Sequence, residues 1–362
     1  MDHPSPLVWR TQLMFSMSES TSRLLGPATL IVALITCLLS GPFLTGCKPS
    51  EKNGEPSTSV NVKLQLNWVP EPQFGGIYEA RRLGLFDTDE LTVEVRAGSG
   101  GISAPQLVAT GEVEFGIVGG SQVLQLNQEG GELVALFAVY QHDPHGIMVP
   151  ADSSFTTLKE LWQSTSATIG AESSLAFIKA LDQAIGASKG ARFVAYNLPA
   201  FRAGRQSASQ CFVTAEPITL ELEGFKTRVF SAAEVSGFDP YNTVLVTRRS
   251  YLAAHPEICQ RMVDAFTRGW SGYTTDSAST NELLAKLNPS MSRKAMDLAA
   301  QRQLPLIIDD TTRRLGLGCM TKQHWTTMAE QLVSLELLDG IPDIDQLFRW
   351  SVEKTTAVAP SG

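Results

Sequence analysis

Residues 62–101 read VKLQLNWVPEPQFGGIYEARRLGLFDTDELTVEVRAGSGG, and this stretch predicts the fold of the chain. It opens with alternating apolar and polar residues, which is the period of a half-buried strand. Prolines and glycines then break the strand, and a short helix is expected over 77–85. A second alternation over 91–95 leads into the glycine-rich turn 98–101. This order is typical of a parallel α/β sheet, in which ligands bind beyond the carboxyl ends of the strands.

The rest of the chain repeats this α/β pattern. Residues 167–242 contain a second, smaller set of strands and helices, and an apolar strand over 241–247 is expected to return the chain to the first set. A long helix over 257–273 carries an apolar stripe at i, i+4 spacing, which predicts packing in the core rather than a cofactor site.

Four segments resemble the NMT1/THI5-like group of periplasmic binding proteins, the substrate-capturing lipoproteins of ABC importers. They are LNWVPEPQFGGIYEARRLGLF at 66–86, GEVEFGIVGG at 111–120, TAEP at 214–217 and the closing segment 318–339. The likeness runs from about residue 63 to about residue 348. It implies a type II periplasmic-binding-protein fold, with two α/β lobes joined by two crossover segments and the ligand cleft between the lobes.

The resemblance sets the expected domain boundaries. Lobe 1 is expected to be discontinuous, at 61–149 plus 243–350, and lobe 2 to span 150–242. Residues 47–60 are polar and rich in Pro and Ser, so we expect a flexible tether there, and we expect 351–362 to form a disordered tail.

The N-terminal residues 1–46 read as a signal peptide of the lipoprotein type. Arg10 and Arg23 precede an apolar run over 24–44, which ends on Leu-Thr-Gly before Cys47. This ending resembles the bacterial lipobox and implies lipidation of Cys47 and export to the periplasm or cell exterior. A transmembrane anchor is the alternative, but Pro27 and Pro42 make a poor span of twenty residues. Translation could also start at Met14 or Met17.

Composition and charge limit the partners. The net charge of −8 is not gathered into a basic patch, which argues against nucleic acid as a partner. Three of the five cysteines lie beyond Cys47, far apart and odd in number, so neither a disulfide framework nor a zinc site is indicated. His142 and His145 are separated by Pro144, and a loop role is favoured over metal ligation. We expect no metal, no cofactor and a monomer.

Candidate ligand contacts come from the predicted cleft edges and from the resemblance. Trp68 could stack on an aromatic ligand, polar side chains could fix its orientation, and Ser121 is expected to cap the next helix. The resemblance makes Glu216 a ligand contact, although a carboxylate just before Pro217 could equally stabilise a helix N-terminus. Tyr78 and Tyr140 are secondary candidates. The full set is Asn67, Trp68, Phe74, Gly75, Gly100, Gly101, Ser121, Gln141, Glu172, Glu216 and Asn242.

Three functions follow from these features. The first is an extracytoplasmic solute-binding lipoprotein that delivers a ligand to an ABC permease and its ATPase. The resemblance points to a hydroxymethylpyrimidine or formylaminopyrimidine precursor of thiamine, and riboflavin, sulfonate and nitrate ligands remain open. Anions usually require Arg or Lys, and the cleft-edge segments offer none. The second function is a pyrimidine synthase like the eukaryotic relatives, which the absence of clustered cysteines disfavours. The third is a sensor subunit of the same fold.

Overall fold

The computed structural model describes residues 59–99, 102–187 and 190–350. Within these ranges the strands form two sheets of five strands each, ordered β2-β1-β3-β10-β4 and β7-β6-β8-β5-β9. In chain order the strands are β1 Val60–Gln65, β2 Leu91–Arg96, β3 Phe115–Val118, β4 Leu133–Tyr140, β5 His145–Pro150, β6 Thr168–Gly170, β7 Arg192–Val194, β8 Ala208–Phe212, β9 Thr227–Ser231 and β10 Asn242–Arg248.

Helices cover both sheets. They are α1 Gly75–Arg82, α2 Ala104–Thr110, α3 Gly120–Gln128, α4 Leu158–Gln163, α5 Ala176–Ile185, α6 Leu198–Arg202, α7 Glu216–Leu222, α8 Ala232–Ser236, α9 Arg249–Ala254, α10 Pro256–Thr275, α11 Ala278–Leu287, α12 Arg293–Arg302, α13 Leu304–Ile307, α14 Asp310–Leu315 and α15 Lys322–Ser334. Short 3-10 turns lie at Pro72–Phe74 and Ile344–Gln346. The mixed α/β fold with two sheets confirms the predicted fold class.

Each sheet mixes parallel and antiparallel pairs. In the first sheet β1 runs parallel to β2 and β3, while β10 runs antiparallel to β3 and β4. In the second sheet β6 runs parallel to β7 and β8, while β5 runs antiparallel to β8 and β9. Every residue of β4 is buried, which explains its unbroken apolar sequence LVALFAVY.

The chain passes between the sheets twice. It leaves the first sheet at the end of β4 and enters the second at β5, so the first crossing is residues 141–144. It returns between α8 and β10, and the second crossing is residues 237–241. The predicted lobe boundary at 149 was therefore wrong, because β5 pairs with β8 and β9 of the second sheet. An apolar strand fits either sheet, so its sequence alone does not assign it.

The long helix α10 packs on lobe 1 through the predicted stripe. Met262, Phe266 and Trp270 are fully buried, as a structural role requires. The neighbouring helix α1 approaches α10 at Gly269, where a Cβ atom would collide with the carbonyl oxygen of Gly76. The glycine therefore permits the two backbones to approach closely.

We expect Gly269→Ala to lower the free energy of unfolding by about 2 kcal/mol or more, because the helices must separate to admit the methyl group. Ser271→Ala on the exposed face of α10 is the matched control and should change it by less than about 0.5 kcal/mol. Urea unfolding of the full chain measures both values. Equal stability of the two variants would contradict the close approach of α1 and α10.

Candidate functional site

A cleft of about 430 Å³ lies between the two lobes. Lobe 1 contributes the loop after β1 and the first turn of α3, and lobe 2 contributes the start of α5 and the end of β8 with the start of α7. The lining residues are Asn67, Trp68, Glu71, Gln73, Ser99, Ile102, Ser103, Ala104, Pro105, Gly119, Ser121, Gln122, Asp143, His145, Glu172, Leu175, Ala176, Phe177, Tyr196, Gln210, Cys211, Phe212, Ala215, Glu216, Phe238, Pro240 and Asn242.

The structure brings six of the predicted contacts together in this cleft. They are Asn67, Trp68, Ser121, Glu172, Glu216 and Asn242. Predicted contacts Gly100 and Gly101 lie outside the described residues, as does Cys47. The six residues come from both lobes, which is the distribution that a ligand clamp requires.

Three predicted contacts do not line the cleft. Phe74 is fully buried in the core of lobe 1. Gly75 faces the ring of Tyr273, which leaves no room for a side chain. The amide of Gln141 donates to the carbonyl oxygens of Ala138, at 2.9 Å, and Cys319, at 3.2 Å. All three therefore have structural roles.

The two secondary candidates also lie outside the cleft lining. Tyr78 is buried in the core of lobe 1. Tyr140 is fully buried, and its hydroxyl donates to Oε1 of Gln303 at 2.7 Å. Neither ring is available to stack on a ligand in this conformation.

Ser121 lines the cleft but does not cap α3. Gly119 is the N-cap residue, and its backbone N–H donates to Oε1 of Gln122 at 2.9 Å. The helix begins at Gly120, one residue before the predicted cap, because the second glycine of the pair that follows β3 already belongs to the first turn. Ser121 therefore presents its hydroxyl from the first helical turn.

Glu71 is a cleft residue that the sequence reasoning missed. It is the N-cap residue of the 3-10 turn Pro72–Phe74, in the loop after β1. Burial raises the pKa of its carboxyl to about 8, Glu216 adds to the rise, and a hydrogen bond with Trp68 opposes it. The sequence feature that could have identified Glu71 is its position between Pro70 and Pro72, just beyond the first strand.

Glu216 is held in place at the start of α7. Its Oε1 accepts a hydrogen bond from the Tyr196 hydroxyl at 3.0 Å, and its Oε2 accepts one from the Phe212 backbone N–H at 2.9 Å. Burial raises the pKa of the carboxyl, and these donors oppose the rise. Glu216 begins a helix and also lines the cleft. The two predicted roles, stabilisation of a helix N-terminus and contact with a ligand, are therefore compatible.

Two further carboxyl groups complete the lining. Asp143 accepts a hydrogen bond from Nδ2 of Asn242 at 2.9 Å and pairs with Nδ1 of His145 at 2.9 Å. The His145 ring stacks on Phe177 with 4.4 Å between ring centroids. Glu172 is the fourth carboxyl, and no Lys or Arg occurs among the described lining residues. The cleft is therefore rich in hydrogen-bond acceptors.

The two crossings are tied together by polar contacts. Nδ1 of His142 lies 2.7 Å from Oδ2 of Asp239, and the backbone N–H of Asp143 donates to Oδ1 of Asp239 at 2.6 Å. The hydrogen bond to Asp239 raises the pKa of His142. His142 and His145 thus pair with carboxylates of the crossings, and no metal-binding group of three or more side chains occurs in the described ranges.

Cys211, Cys259 and Cys319 are buried free thiols. Among the residues that the structure describes, no helix combines the length and the apolar character needed to span a membrane.

We expect Glu71→Gln to stabilise the chain more at pH 8 than at pH 5. A carboxyl whose pKa rises on folding contributes stability below its unfolded value of 4.5 and loses it as the pH rises towards 8. Glutamine does not titrate and so has no such loss. The difference in the free energy of unfolding between Glu71→Gln and wild type should therefore increase by about 2 kcal/mol from pH 5 to pH 8, a value reduced for solvent in the cleft.

Urea unfolding at the two pH values measures this difference. Glu129→Gln, at the exposed end of α3, is the matched control and should show no comparable change. A stability difference between wild type and Glu71→Gln that is the same at both pH values would contradict the burial of this carboxyl.

The chain is similar to known proteins in sequence and in fold. A family model described as NMT1/THI5 like matches residues 71–277. The riboflavin-binding protein RibY of Chloroflexus aurantiacus is 24% identical over 350 residues, which cover 90% of this chain and 96% of RibY.

Two solved structures share the fold. The alkanesulfonate-binding protein SsuA of Xanthomonas axonopodis pv. citri, bound to MOPS, has a TM-score of 0.60 at 14% identity over 80% of this chain and 98% of its own. The periplasmic aliphatic sulphonate binding protein SsuA of Escherichia coli has a TM-score of 0.59 at 15% identity over 83% of this chain and 94% of its own.

Proposed function

The chain belongs to the NMT1/THI5-like family, and we propose that it is the exported solute-binding subunit of an ABC importer. The two lobes and the cleft between them support a clamp that closes on a small ligand by movement about the two crossings. The permease and the ATPase are the implied partners, and the binding subunit works as a monomer without nucleic acid.

The ligand that we propose is a small heteroaromatic with hydrogen-bond donors, and most specifically a hydroxymethylpyrimidine or formylaminopyrimidine precursor of thiamine. One observation carries this proposal: four carboxyl groups line the cleft, and no Lys or Arg among the described lining residues balances them. Trp68 offers an aromatic surface, and Glu216 offers an acceptor for an exocyclic amine.

The four carboxyl groups of the cleft lining also distinguish between the alternative ligands. A sulfonate or nitrate would place an anion against four carboxyl groups, and anion sites usually supply Arg, Lys or several N–H donors. Riboflavin is a stronger second candidate, since the relative RibY is named for riboflavin binding and a cleft of about 430 Å³ is within the size range of small-molecule sites.

A catalytic role is disfavoured by the residues of the cleft. Among the described lining residues the only thiol is that of Cys211, which is buried, and burial raises its pKa well above the usual range. A sensor subunit of the same fold remains the other non-enzymatic function, and a neighbouring permease gene would distinguish the importer from it.

We also propose that the chain is a lipoprotein. Cleavage after residue 46 would expose Cys47 for acylation, and the polar residues 48–59 would tether the lobes to the membrane. Mass spectrometry of the mature chain from its native host tests this by the mass of the N-terminal peptide.

The ligand class can be tested by thermal shift of the full chain with aminopyrimidines, riboflavin, taurine and nitrate. A ligand at about a hundred times its dissociation constant adds about 2.7 kcal/mol to the free energy of unfolding, which is readily detected. We expect stabilisation by an aminopyrimidine or by riboflavin and none by the anions. Stabilisation by taurine alone would overturn the heteroaromatic class.

The roles of individual residues can be tested with the ligand that the screen identifies. Trp68→Ala should weaken binding at least tenfold, because it removes the aromatic surface and a donor to Glu71. Glu216→Gln should weaken a ligand with an exocyclic amine more than a ligand without one.

Glu129→Gln is the control, because this carboxyl lies at the exposed end of α3. The variant should bind the ligand with the same dissociation constant as wild type. Calorimetry gives all three values. An unchanged dissociation constant for a folded Trp68→Ala variant would remove Trp68 from the site.

A further inference from the structure

We propose that His145 is a ligand contact, and that its Nε2 atom accepts a hydrogen bond from an O–H or N–H group of the ligand. Asp143 is the positioning residue that orients the ring for this contact. The inference rests on the proposed function and deepens it, because it adds a specific acceptor to the carboxyl groups of the cleft lining. It also gives a binding role to a histidine for which the sequence predicts only a place in a loop.

The Nδ1 edge of the His145 ring is held by Asp143. Nδ1 lies 2.9 Å from Oδ1 and 3.0 Å from Oδ2 of this residue. The Asp143 side chain is fully buried, and its Oδ1 also accepts a hydrogen bond from Nδ2 of Asn242 at 2.9 Å. An ionised carboxyl group only accepts hydrogen bonds, so Nδ1 carries the ring proton and donates it to Asp143.

Asp143 is fixed in turn by the second crossing. Its backbone N–H donates to Oδ1 of Asp239 at 2.6 Å, and its partner Asn242 is the first residue of β10. The carboxyl group that orients His145 is therefore held where the two crossings meet. Movement about the crossings would displace this carboxyl group and, through it, the ring.

Two phenylalanines of the cleft lining fix the plane of the His145 ring. Phe177, near the start of α5, stacks on the ring with 4.4 Å between centroids and 16° between planes. Phe212, the last residue of β8, meets the ring at 89° with 4.7 Å between centroids. Rotation of the ring about its side-chain bonds would break these contacts as well as the hydrogen bond to Asp143. The ring therefore has one preferred orientation.

Nε2 is the polar atom that this arrangement leaves for a ligand. The His145 side chain lines the cleft and is 20% exposed, and Nε2 has no hydrogen-bond partner in the part of the chain that the structure describes. A neutral imidazole with its proton on Nδ1 has an unshared electron pair on Nε2 and accepts a hydrogen bond there. A ligand hydroxyl or N–H group is the complement of such an atom.

Two other histidines near the crossings differ from His145. Nδ1 of His142 lies 2.7 Å from Asp239, its Nε2 lies 3.9 Å from Asp309, and it is not among the described lining residues. Nε2 of His324 lies 2.9 Å from the backbone carbonyl oxygen of Asp239, and burial lowers the pKa of this ring. A carbonyl oxygen only accepts, so the neutral His324 carries its proton on Nε2, which is the opposite tautomer to His145.

The first test is made without ligand. Proton–nitrogen NMR of the full chain, labelled with nitrogen-15 in its five histidine rings, distinguishes the two tautomers at pH 8. The His145 ring, identified by the signals that His145→Asn loses, should carry its proton on Nδ1, and His324 should carry it on Nε2. A proton on Nε2 of His145, alone or together with one on Nδ1, would overturn the proposal.

Asp143→Asn tests the positioning role in the same spectrum. The amide presents a donor in place of one carboxylate oxygen, so the Nδ1 proton loses its preferred acceptor. Signals of the tautomer with its proton on Nε2 should therefore appear for His145, while those of His324 stay unchanged. An unchanged His145 tautomer in the folded variant would remove Asp143 from the positioning role.

The second test is calorimetric binding at pH 8. The probes are 4-amino-5-hydroxymethyl-2-methylpyrimidine and riboflavin. Each is paired with analogues that lack one kind of donor: the pyrimidine without its hydroxyl or without its amine, and the flavin without its ribityl chain or with a methylated imide nitrogen. His145→Asn keeps a donor near Asp143 but does not reach the position of Nε2, so it should bind a probe at least about tenfold more weakly than wild type.

The analogue that lacks the contacting donor should bind wild type and His145→Asn within about twofold of each other, since neither complex then contains the hydrogen bond. His255→Asn is the matched control, because His255 is exposed and lies outside the described cleft lining. It should bind every probe and analogue as wild type does.

The outcomes separate this inference from the proposed function. If His145→Asn weakens one probe but not its analogue, the contact is supported and its ligand donor is identified. If a probe binds wild type, and His145→Asn weakens it and all its analogues equally or not at all, the binding function stands and the contact is overturned. If neither probe binds wild type, the heteroaromatic class is wrong, and the contact to its donor falls with it.

Discussion

The antiparallel insertion of β10 between β3 and β4 is the constraint on which the two-lobe arrangement depends. It returns the chain to the first sheet after the second sheet is complete. The lobes are therefore joined by two crossings, one at 141–144 and one at 237–241. The hydrogen bond from Asn242, the first residue of β10, to Asp143 ties one crossing to the end of the other. The cleft lies beside these crossings and so changes shape with any movement about them.

The chemistry of the cleft follows from this placement. Loop and helix ends from both lobes converge beside the crossings, and no Lys or Arg occurs among the described residues that line the cleft. Burial then raises the pKa values of Glu71 and Glu216, while Trp68, Tyr196 and the Phe212 backbone supply opposing hydrogen bonds. The site is thus organised to receive donors, and this distinguishes it from a site organised for an anion.

Much of the fold could be predicted from the sequence because periodicity reports local structure. The unbroken apolar run of β4 and the stripe on α10 both correspond to buried elements. The assignment of β5 to a lobe failed, because that choice depends on pairing with strands far along the chain. Phe74 and Gly75 lie outside the cleft lining for a related reason: beyond Gln73 the chain packs Phe74 into the core of lobe 1 and Gly75 against the ring of Tyr273.

The candidate site was predicted least well where the properties of a residue depend on residues far away in the sequence. Trp68 and Glu216, which line the cleft, were predicted individually as ligand contacts, by residue type and by resemblance. Glu71 was missed because the rise in its pKa comes from burial in the folded chain and from a carboxyl more than a hundred residues away. Sequence spacing contains neither quantity.

The central claim is that the cleft binds a neutral heteroaromatic ring that donates hydrogen bonds to the carboxyl groups of the lining. Side-by-side calorimetry of the full chain at pH 7 with an aminopyrimidine, riboflavin and an alkanesulfonate tests it most directly. The account predicts binding of at least one ring and no heat from the sulfonate. Binding of the sulfonate without binding of either ring would contradict it.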